Sequence, residues 1–428
     1  MSERIDIPVR LLDRPVQITT RKLRSKVARV LLVVPTSSYR IADFIDAAGA
    51  LGVEVAVAAE EDLPLLAIDR FVRIDCSDPV AAAARVVDLA SSTSIDAIVP
   101  VDDAGVIIAA LASESLGLPH NSPAAAAATR NKEAMRLALS RGEVPQPSFA
   151  AITEGQDPTT AAAAVGFPLV VKPLSLSGSR GVIKVDSPEQ LPTVIGRVLD
   201  IARGAGDDGG RVLLEQFVAG PEVAVEGMLW SGVLEVLAIF DKPDHPDGPY
   251  FEETIYVTPS RLDRAIQDDL ARVTQAATTA IGLQEGPIHA ELRVVGDKPS
   301  VIEVAGRSIG GICGRALSFG LLDTSLETLI LRHALGRRRG LPRTSNASGV
   351  MMLPISGPGT LTAISGLDDA GEVEGIDAIE ITAPIGTHLR PVPEADRYLG
   401  FIFATGPQPN DVVAALKKAH SLLDIVIR

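Results

Sequence analysis

Apolar and polar positions alternate in blocks along the first quarter of the chain, and these blocks predict buried strands separated by amphipathic helices. Residues 27–35, 53–59 and 95–103 are nearly continuous apolar runs of strand length, with helix-periodic stretches between them. Continuous apolar strands that alternate with helices are typical of a parallel sheet covered on both faces. The pattern predicts an α/β domain with a doubly wound parallel sheet over residues 1–125.

A different pattern follows, in which short strands are joined by glycine-rich turns, and it predicts an α/β and α+β multidomain protein. A helix is predicted over 124–139, and strands over 166–173, 181–185, 211–218, 222–230 and 233–240. Further along come a helix over 260–281, a β-hairpin over 288–307, a helix over 324–335 and a strand-rich tail that ends in a helix over 411–422. The predicted units are 1–125, a helical linker segment over 126–165, a β-rich unit over 166–240, a second unit over 241–345 and a C-terminal strand-rich subdomain over 346–428.

The hairpin over 288–307 carries two glutamates at equal distances from its turn. The turn sequence Gly-Asp-Lys-Pro centres on Asp297, which lies midway between Glu291 and Glu303. In an antiparallel pair folded about that point the two glutamates face each other, roughly 5 Å apart. The strand period of two also places His289 and Arg293 on the same face as Glu291. The spacing therefore predicts a carboxylate pair with polar neighbours.

Two opposed carboxylates repel each other unless a cation lies between them. Mg²⁺ prefers oxygen ligands and is commonly held by one or two carboxylates together with substrate phosphates. Arg307, on the Glu303 side of the hairpin, has the guanidinium fork that binds a phosphate or carboxylate in a bidentate manner. The same spacing fits an outward-facing pair that arginines neutralise, and both interpretations stay open at this point.

Two further segments have the residue types of a nucleotide site. Lys172 ends an otherwise apolar strand beside the small-residue loop 175–181, whose backbone N–H groups could close over phosphates, although no Walker motif occurs. Glu215 interrupts an apolar strand, and Glu222 begins the next strand after an Ala-Gly-Pro turn. Such a segment can present backbone groups to an adenine edge and a carboxylate to ribose. Each feature alone is also compatible with an ordinary solvated turn.

Composition excludes several classes of partner. Forty Lys and Arg against 54 Asp and Glu give a formal net charge of −14, which disfavours sequence-independent binding to nucleic acid or anionic lipid. Hydrophobic residues make up 46%, enough for a large core, but no apolar run approaches the roughly 18–20 residues of a membrane helix. Two cysteines far apart indicate neither a disulfide framework nor a zinc site. We expect a cytoplasmic protein without nucleic-acid or membrane partners.

The order of these features resembles the ATP-grasp superfamily, and the resemblance runs from about residue 27 to the C-terminus. It implies that 1–125 is the N-terminal α/β domain, 166–240 the ATP-grasp lid, 241–345 the catalytic antiparallel-sheet core and 346–428 a C-terminal subdomain. The implied cofactors are ATP and Mg²⁺ (or Mn²⁺). The resemblance implies phosphate contacts from Lys132 and Lys172, a mobile loop at Ser177, Gly178 and Ser179, adenine flanked by Glu215 and Val218, and ribose held by Glu222.

The same resemblance implies that Glu291 and Glu303 bind Mg²⁺ and that Arg307 stabilises the transferred phosphoryl group. Within the superfamily, segments 240–260, 286–294 and 302–311 and the strand-rich tail are most similar to carboxylate–amine ligases, which include bacterial L-amino-acid ligases (dipeptide synthetases). In that group Glu253 and His289 would lie beside the substrate, and Gly310 and Gly311 would bring backbone N–H groups to the acyl phosphate. Many members have Asn two residues after the second acidic ligand, where this chain has Ala305.

The implied activity is ATP-dependent ligation of a carboxylate, expected to be an amino acid, to the amine of a second amino acid through an acyl phosphate. Two alternatives stay open. One is an ATP-grasp carboxylase or purine-biosynthesis-type ligase that uses bicarbonate or a nucleotide-like amine. The other is a catalytically silent ATP-binding regulatory protein. Small molecules are the expected partners; a homodimer is compatible with the resemblance alone.

Overall fold

The computed structural model describes residues 27–36, 38–61, 70–207, 209–244, 248–338, 340 and 345–428. The first 26 residues of the predicted N-terminal domain lie outside this range. Across the part of the chain that is described, no helix has both the length and the hydropathy that crossing a bilayer requires.

The N-terminal region folds around a parallel sheet, as the apolar pattern predicts. Its elements are β1 (Arg29–Val34), α1 (Ile41–Leu51), β2 (Glu54–Ala59), β3 (Phe71–Arg73), α2 (Pro79–Ser92), β4 (Ala97–Pro100) and α3 (Gly105–Leu116). The strand order is β3-β2-β1-β4, and β1 pairs in parallel with both neighbours. Leu32 of β1 packs into one hydrophobic core and Leu31 into another on the opposite face. Both faces of the sheet are therefore covered, which explains the continuous apolar runs.

The stretch predicted as one helix over 124–139 consists of two helices, α4 (Pro123–Thr129) and α5 (Lys132–Arg141). The break occurs at Asn131, whose side chain accepts a hydrogen bond from the Ala134 N–H at 3.0 Å. Asparagine is a favoured N-cap because its oxygen satisfies one of the free N–H groups at a helix start. This break makes Lys132 the first residue of α5, at the edge of a cleft in the protein.

A second sheet, which is antiparallel, lies in the region predicted as the lid and is called the lid sheet below. This region contains β5 (Phe149–Thr153), α6 (Thr159–Val165), β6 (Leu169–Pro173), β7 (Ile183–Val185), α7 (Leu191–Gly204) and β8 (Arg211–Gln216). The four strands have the order β5-β8-β6-β7. The segment 126–165, predicted as a helical linker, thus also supplies a strand of this sheet. The local pattern does not show this, because β5 pairs with β8, which lies about sixty residues further along the chain.

The remaining strands form a large antiparallel sheet and a small one. The elements are β9 (Glu222–Trp230), β10 (Val233–Asp241), β11 (Ile255–Thr258), α8 (Arg264–Ile281), β12 (Gly286–Val295), β13 (Lys298–Ala305), α9 (Leu326–Ala334), β14 (Ala347–Met352), β15 (Gly359–Ser365), α10 (Leu367–Gly371), β16 (Ile376–Ile381), β17 (His388–Leu389), β18 (Gly400–Gly406), α11 (Pro409–His420) and β19 (Asp424–Ile427). The large sheet has the order β13-β12-β9-β10-β11-β14-β18-β16, and the small one β17-β15-β19. The large sheet therefore continues across the boundaries predicted at residues 240 and 345, which follow local sequence pattern rather than strand pairing.

Candidate active site

A deep cleft between the lid sheet and the large sheet contains the predicted site residues. Its volume is about 390 Å³. The residues singled out from the sequence all line it: Lys132, Lys172, Ser177, Gly178, Ser179, Glu215, Val218, Glu222, Glu253, His289, Glu291, Glu303, Arg307, Gly310 and Gly311. The fold thus brings together residues spread over about 180 positions of sequence. Their individual roles stay predictions.

The hairpin of β12 and β13 has the predicted register. Glu291 is paired directly with Glu303, and Asp297 in the turn adopts a positive φ of 67°. The pairing shifts by one residue after Glu291, so Ile302 is an extra residue on β13. A bulge of this kind turns a side chain away from the strand's regular alternation. Ile302 lines the cleft beside Glu303, and a strict period of two could not have predicted this.

Both hairpin carboxylates face the cleft rather than the outside, and lysines lie beside them. Lys132 Nζ donates to Glu303 at 3.1 Å and to the carbonyl of Leu176 at 2.6 Å. Lys242 Nζ donates to Glu291 at 3.0 Å. The side chains of Glu303 and Glu291 are 29% and 18% exposed. These contacts argue against the outward-facing pair neutralised by arginines.

The donor set fits a magnesium ion shared with a phosphate-bearing substrate. Among the described residues no group of three or more His, Cys, Asp or Glu side chains is arranged to hold a metal on its own. Two carboxylates suffice when substrate phosphates and water supply the other ligands, as is usual for Mg²⁺. Ala305 contributes no side-chain oxygen, so Glu291 and Glu303 are the protein ligands that this hairpin offers.

A buried ion cluster underlies the predicted adenine and phosphate positions. Glu215 Oε1 accepts from Arg136 Nε at 2.7 Å, and Glu215 Oε2 lies 2.6 Å from Lys172 Nζ. Burial would raise the pKa of Glu215, but Arg136 and Lys172 lower it to about 2. Arg136 is fully buried and also donates to the carbonyls of Val301 and Ile302. Sequence reasoning missed Arg136, because an arginine in an amphipathic helix is ordinarily solvent-exposed.

Replacing Glu215 with glutamine is expected to lower the free energy of unfolding by about 3 kcal/mol or more at neutral pH, because Arg136 and Lys172 would lose their buried counter-charge. The depressed pKa means that this contribution is present above about pH 4.5 and is lost as the pH falls toward 2. Urea unfolding at pH 7 and near pH 3 measures both effects. Glu133→Gln is the control, because Glu133 pairs with Arg211 at the surface and its loss should cost less than about 1 kcal/mol. Equal losses for the two variants would contradict the expectation.

Lys242 connects three carboxylates of the cleft. Its Nζ donates to Glu222 at 2.7 Å, to Glu291 at 3.0 Å and to Glu253 at 3.1 Å. Burial would lower the pKa of Lys242, but these carboxylates raise it well above its usual value, so the ammonium stays charged. Lys242 lies directly after β10. Lys242 was not predicted as a site residue. Its sequence signal is a lysine at the end of a buried strand, which is also the position of Lys172.

Glu222, which is predicted to bind ribose, pairs with a second cation besides Lys242. Arg293 Nε donates to Glu222 at 2.8 Å, and Arg293 Nη1 donates to the carbonyl of Val218 at 2.9 Å. The Arg293 guanidinium also lies over the ring of Phe217, 5.3 Å from its centroid. Arg293 therefore fixes the strand connection that is predicted to face adenine and ribose.

Beside Lys242 the cleft also has an acidic and an imidazole group. Glu253 accepts a hydrogen bond from the Tyr398 hydroxyl at 3.3 Å, and burial together with nearby Glu291 raises its pKa. His289 Nδ1 lies 3.0 Å from the fully buried Glu226 carboxylate. Burial would lower the pKa of His289, but its hydrogen bonds to Glu226 and Glu291 raise it to about 9. At neutral pH the imidazole is therefore a cation. Neither Tyr398 nor Glu226 was predicted from the sequence.

Arg307 is anchored by the N-terminal domain. Its Nη2 donates to Asp103 at 2.7 Å, and its Nη1 donates to the carbonyl of Ser308 at 2.8 Å. Asp103 also pairs with Arg130 at 3.1 Å. The Asp-Asp pair after β4 lies at the end of a parallel strand, where open α/β sheets usually bind ligands. In this structure the Asp103 side chain of that pair holds Arg307, which lines the cleft.

The two glycines beyond Arg307 have different surroundings. Gly311 has a φ of +57°, and a Cβ there would lie 2.9 Å from the ring of Phe401. A Cβ at Gly310 would meet only an Arg307 nitrogen at 4.0 Å. Gly311 therefore requires glycine for conformation and for close packing. Gly310 has space for a side chain beside Arg307.

Three family models match separate parts of the chain. An ATP-grasp N-terminal domain matches residues 45–120, an ATP-grasp domain matches 165–316, and an L-amino acid ligase C-terminal domain 2 matches 351–428. Together they cover the parallel sheet from β2 onward, the lid strands from β6 onward with most of the large sheet, and the C-terminal strands. They confirm the fold class that the motif order predicts.

Individual proteins agree with these models. The crystal structure of an L-amino acid ligase from Bacillus licheniformis is 25% identical, and the match covers 94% of this chain and 99% of that one with a TM-score of 0.82. The alanine–anticapsin ligase of Bacillus subtilis is 27% identical over 53% of this chain and 51% of its own length. The chain thus spans about half the length of that curated relative. An N5-carboxyaminoimidazole ribonucleotide synthetase from Thermotoga maritima shares the fold at 16% identity, with a TM-score of 0.71. The chain is therefore an ATP-grasp, L-amino-acid-ligase-like protein of the carboxylate–amine ligase class.

Proposed function

We propose that the protein joins the carboxylate of one amino acid to the amine of another, consuming ATP and releasing ADP and phosphate through an acyl phosphate. The observation that carries this proposal is the composition of one cleft. Nucleotide-type residues, a carboxylate pair, an anchored arginine and two glycines line the same cleft.

The nucleotide end supports ATP binding. The connection from Gln216 to Val218 lies along the cleft, with Ile302 and Val170 as apolar neighbours for a base. Glu222, held by Arg293 and Lys242, has acceptor oxygens for ribose hydroxyls. Lys172 and Lys132 contribute positive charge toward the phosphates, and the loop at Ser177, Gly178 and Ser179 lines the cleft beside them. These groups would hold the triphosphate across the two sheets.

Phosphoryl transfer requires positioning and charge neutralisation rather than a protein nucleophile. Glu291 and Glu303 would hold Mg²⁺, which when bound neutralises phosphate charge during the transfer. Arg307, fixed by Asp103, is placed to bind the substrate carboxylate and then the phosphoryl oxygens in a bidentate manner. Gly310 would donate its backbone N–H to the same oxygens.

The amine half of the reaction would use the part of the cleft beside Lys242. Glu253 would accept a hydrogen bond from a substrate ammonium, and His289, whose pKa is raised by its hydrogen bonds to Glu226 and Glu291, would hold a substrate carboxylate. Once the ammonium has lost a proton to solvent, the neutral amine would attack the acyl carbon. The C–N bond forms as the C–O bond to phosphate breaks, and the amine gives up a second proton as inorganic phosphate departs.

The test is mass spectrometry of products formed from pairs of the twenty amino acids with ATP and Mg²⁺, combined with a measurement of ADP release. We expect one or more dipeptides and ADP in a 1:1 ratio. ADP release with bicarbonate and no amino acid would identify the carboxylase or purine-type alternative instead. Absence of any turnover, with nucleotide still bound, would support the regulatory alternative.

A further inference from the structure

Arg197 on α7 links the lid to two segments outside it. Its Nε and Nη2 lie 2.8 Å and 2.7 Å from Glu394 Oε1. Its Nη1 donates to the Tyr250 hydroxyl at 2.6 Å, and the guanidinium lies 5.2 Å from the centroid of the Tyr250 ring. One lid side chain thus contacts both the segment before β11 and the segment before β18.

Backbone hydrogen bonds reinforce the same two contacts. The Gly181 N–H donates to the carbonyl of Pro393 at 2.8 Å, next to Glu394. The Lys184 N–H donates to the carbonyl of Pro249 at 2.8 Å, next to Tyr250. Gly181 is the last residue of the predicted phosphate loop 175–181, and Lys184 belongs to β7. The contact is therefore made by the part of the lid that lies over the cleft.

Both anchored segments continue into the substrate end of the cleft. Glu253 lies three residues after Tyr250, and Tyr398 lies four residues after Glu394. The Tyr398 hydroxyl donates to Glu253 at 3.3 Å, so the two segments meet again at the predicted amino-acid position. Movement of the lid would therefore disturb this hydrogen bond through a few residues of connecting chain.

The contacts of Arg197 with Tyr250 and Glu394 lie near the surface. The side chains of Arg197 and Glu394 are 42% and 29% exposed, so an ion pair alone would contribute little. Charge-assisted hydrogen bonds to two partners and stacking on a tyrosine ring add directional contacts. Contacts of this strength can shift the equilibrium between the open and the closed lid by about tenfold. The apparent affinity for nucleotide then changes by the same factor.

We propose that Arg197 is a positioning residue of the ligase reaction: by holding Tyr250 and Glu394 against the lid, it couples closure over ATP to assembly of the Glu253–Tyr398 end that receives the amino acids. The inference rests on the proposed function. Arg197 does not line the cleft itself and acts through these two segments.

Arg203 offers a matched control on the same helix. Its side chain is 44% exposed and pairs with Glu154 and Asp200, which both lie in the lid region. Replacing Arg197 with glutamine should weaken binding of β,γ-imido-ATP with Mg²⁺ by about tenfold in calorimetry, whereas Arg203→Gln should change it less than twofold. Equal affinities for the two variants, with the wild type binding normally, would overturn the inference and leave the proposed function intact. A wild type that binds no nucleotide would overturn both.

Steady-state kinetics with an amino-acid pair that the wild type ligates give the second readout. Arg197→Gln should raise the KM of the amino acids about tenfold while kcat changes less than threefold, and Arg197→Lys should lie between wild type and Arg197→Gln. The double variant Arg197→Gln/Glu394→Gln should be no weaker than the more affected single variant, because both changes remove the same contact. Fully additive effects, or a fall in kcat without a change in KM, would contradict the proposal.

Discussion

Replacing Glu303 with glutamine is expected to lower kcat by about a thousandfold, with little change in folding. Glutamine keeps the shape of the side chain but removes one of the two charges that face each other across the hairpin. With only Glu291 left, the cleft would hold Mg²⁺ weakly, and phosphate charge would go uncompensated during transfer. A thousandfold change corresponds to about 4 kcal/mol of transition-state stabilisation, a size typical of losing a dedicated electrostatic contact.

The measurement is ADP release as a function of Mg²⁺ concentration, accompanied by thermal unfolding. Glu303→Gln and Glu291→Gln should both release ADP far more slowly than the wild type at every Mg²⁺ concentration. At high Mg²⁺ concentration their rates should recover at most in part. Glu235→Gln is the control, because Glu235 lies on β10 of the same sheet and does not line the cleft. Wild-type kcat in either cleft variant would refute the metal assignment.

The opposed carboxylates of the hairpin were predictable because their pairing depends on local geometry. A hairpin with a defined turn fixes which residues oppose each other, so Glu291 and Glu303 could be paired from their distances to Asp297. The lysine-bearing strand before the glycine-rich loop is another local feature, and the structure has both. The order of such features along the chain then indicated the fold class, which spans far more sequence than any one of them.

The burial of Arg136 and the position of Lys242 depend on contacts between distant segments, which no local sequence pattern contains. Arg136 is buried because carbonyls of β13 and a glutamate of β8, both distant in sequence, surround it, and Lys242 is fixed by carboxylates on three separate strands or loops. The helix break before Lys132 depends on a single cap, which an alanine-rich apolar pattern conceals. The bulge at Ile302 breaks the strand period at the position where the cleft needs an apolar side chain. Contacts between distant segments decide the first two cases, whereas the helix break rests on a local cap and the bulge on the pairing within one hairpin.

Replacing Arg307 with alanine is expected to lower kcat/KM by about a thousandfold, and replacing it with lysine by about a hundredfold. Alanine removes the guanidinium that we propose stabilises the transferred phosphoryl group. Lysine keeps one charge but cannot make two parallel hydrogen bonds to a carboxylate or phosphate. The difference between the two variants therefore separates the value of charge from the value of bidentate geometry. Kinetics of ADP release with saturating ATP and varied amino acid measure both.

Arg315→Lys is the matched control for Arg307→Lys. Arg315 forms a bidentate ion pair with Asp43 at 2.9 Å and 2.8 Å but does not line the cleft, so its replacement should leave kcat/KM within about twofold. Asp103→Asn tests the anchor: the Arg307 guanidinium stays while its partner loses charge. A loss of about tenfold is expected for Asp103→Asn, because a freely rotating guanidinium must be ordered again at each turnover. If Arg307→Ala kept kcat/KM within tenfold of wild type, the phosphoryl group would have to be stabilised by Lys132 and Lys172 alone, and the proposed role of Arg307 would be wrong.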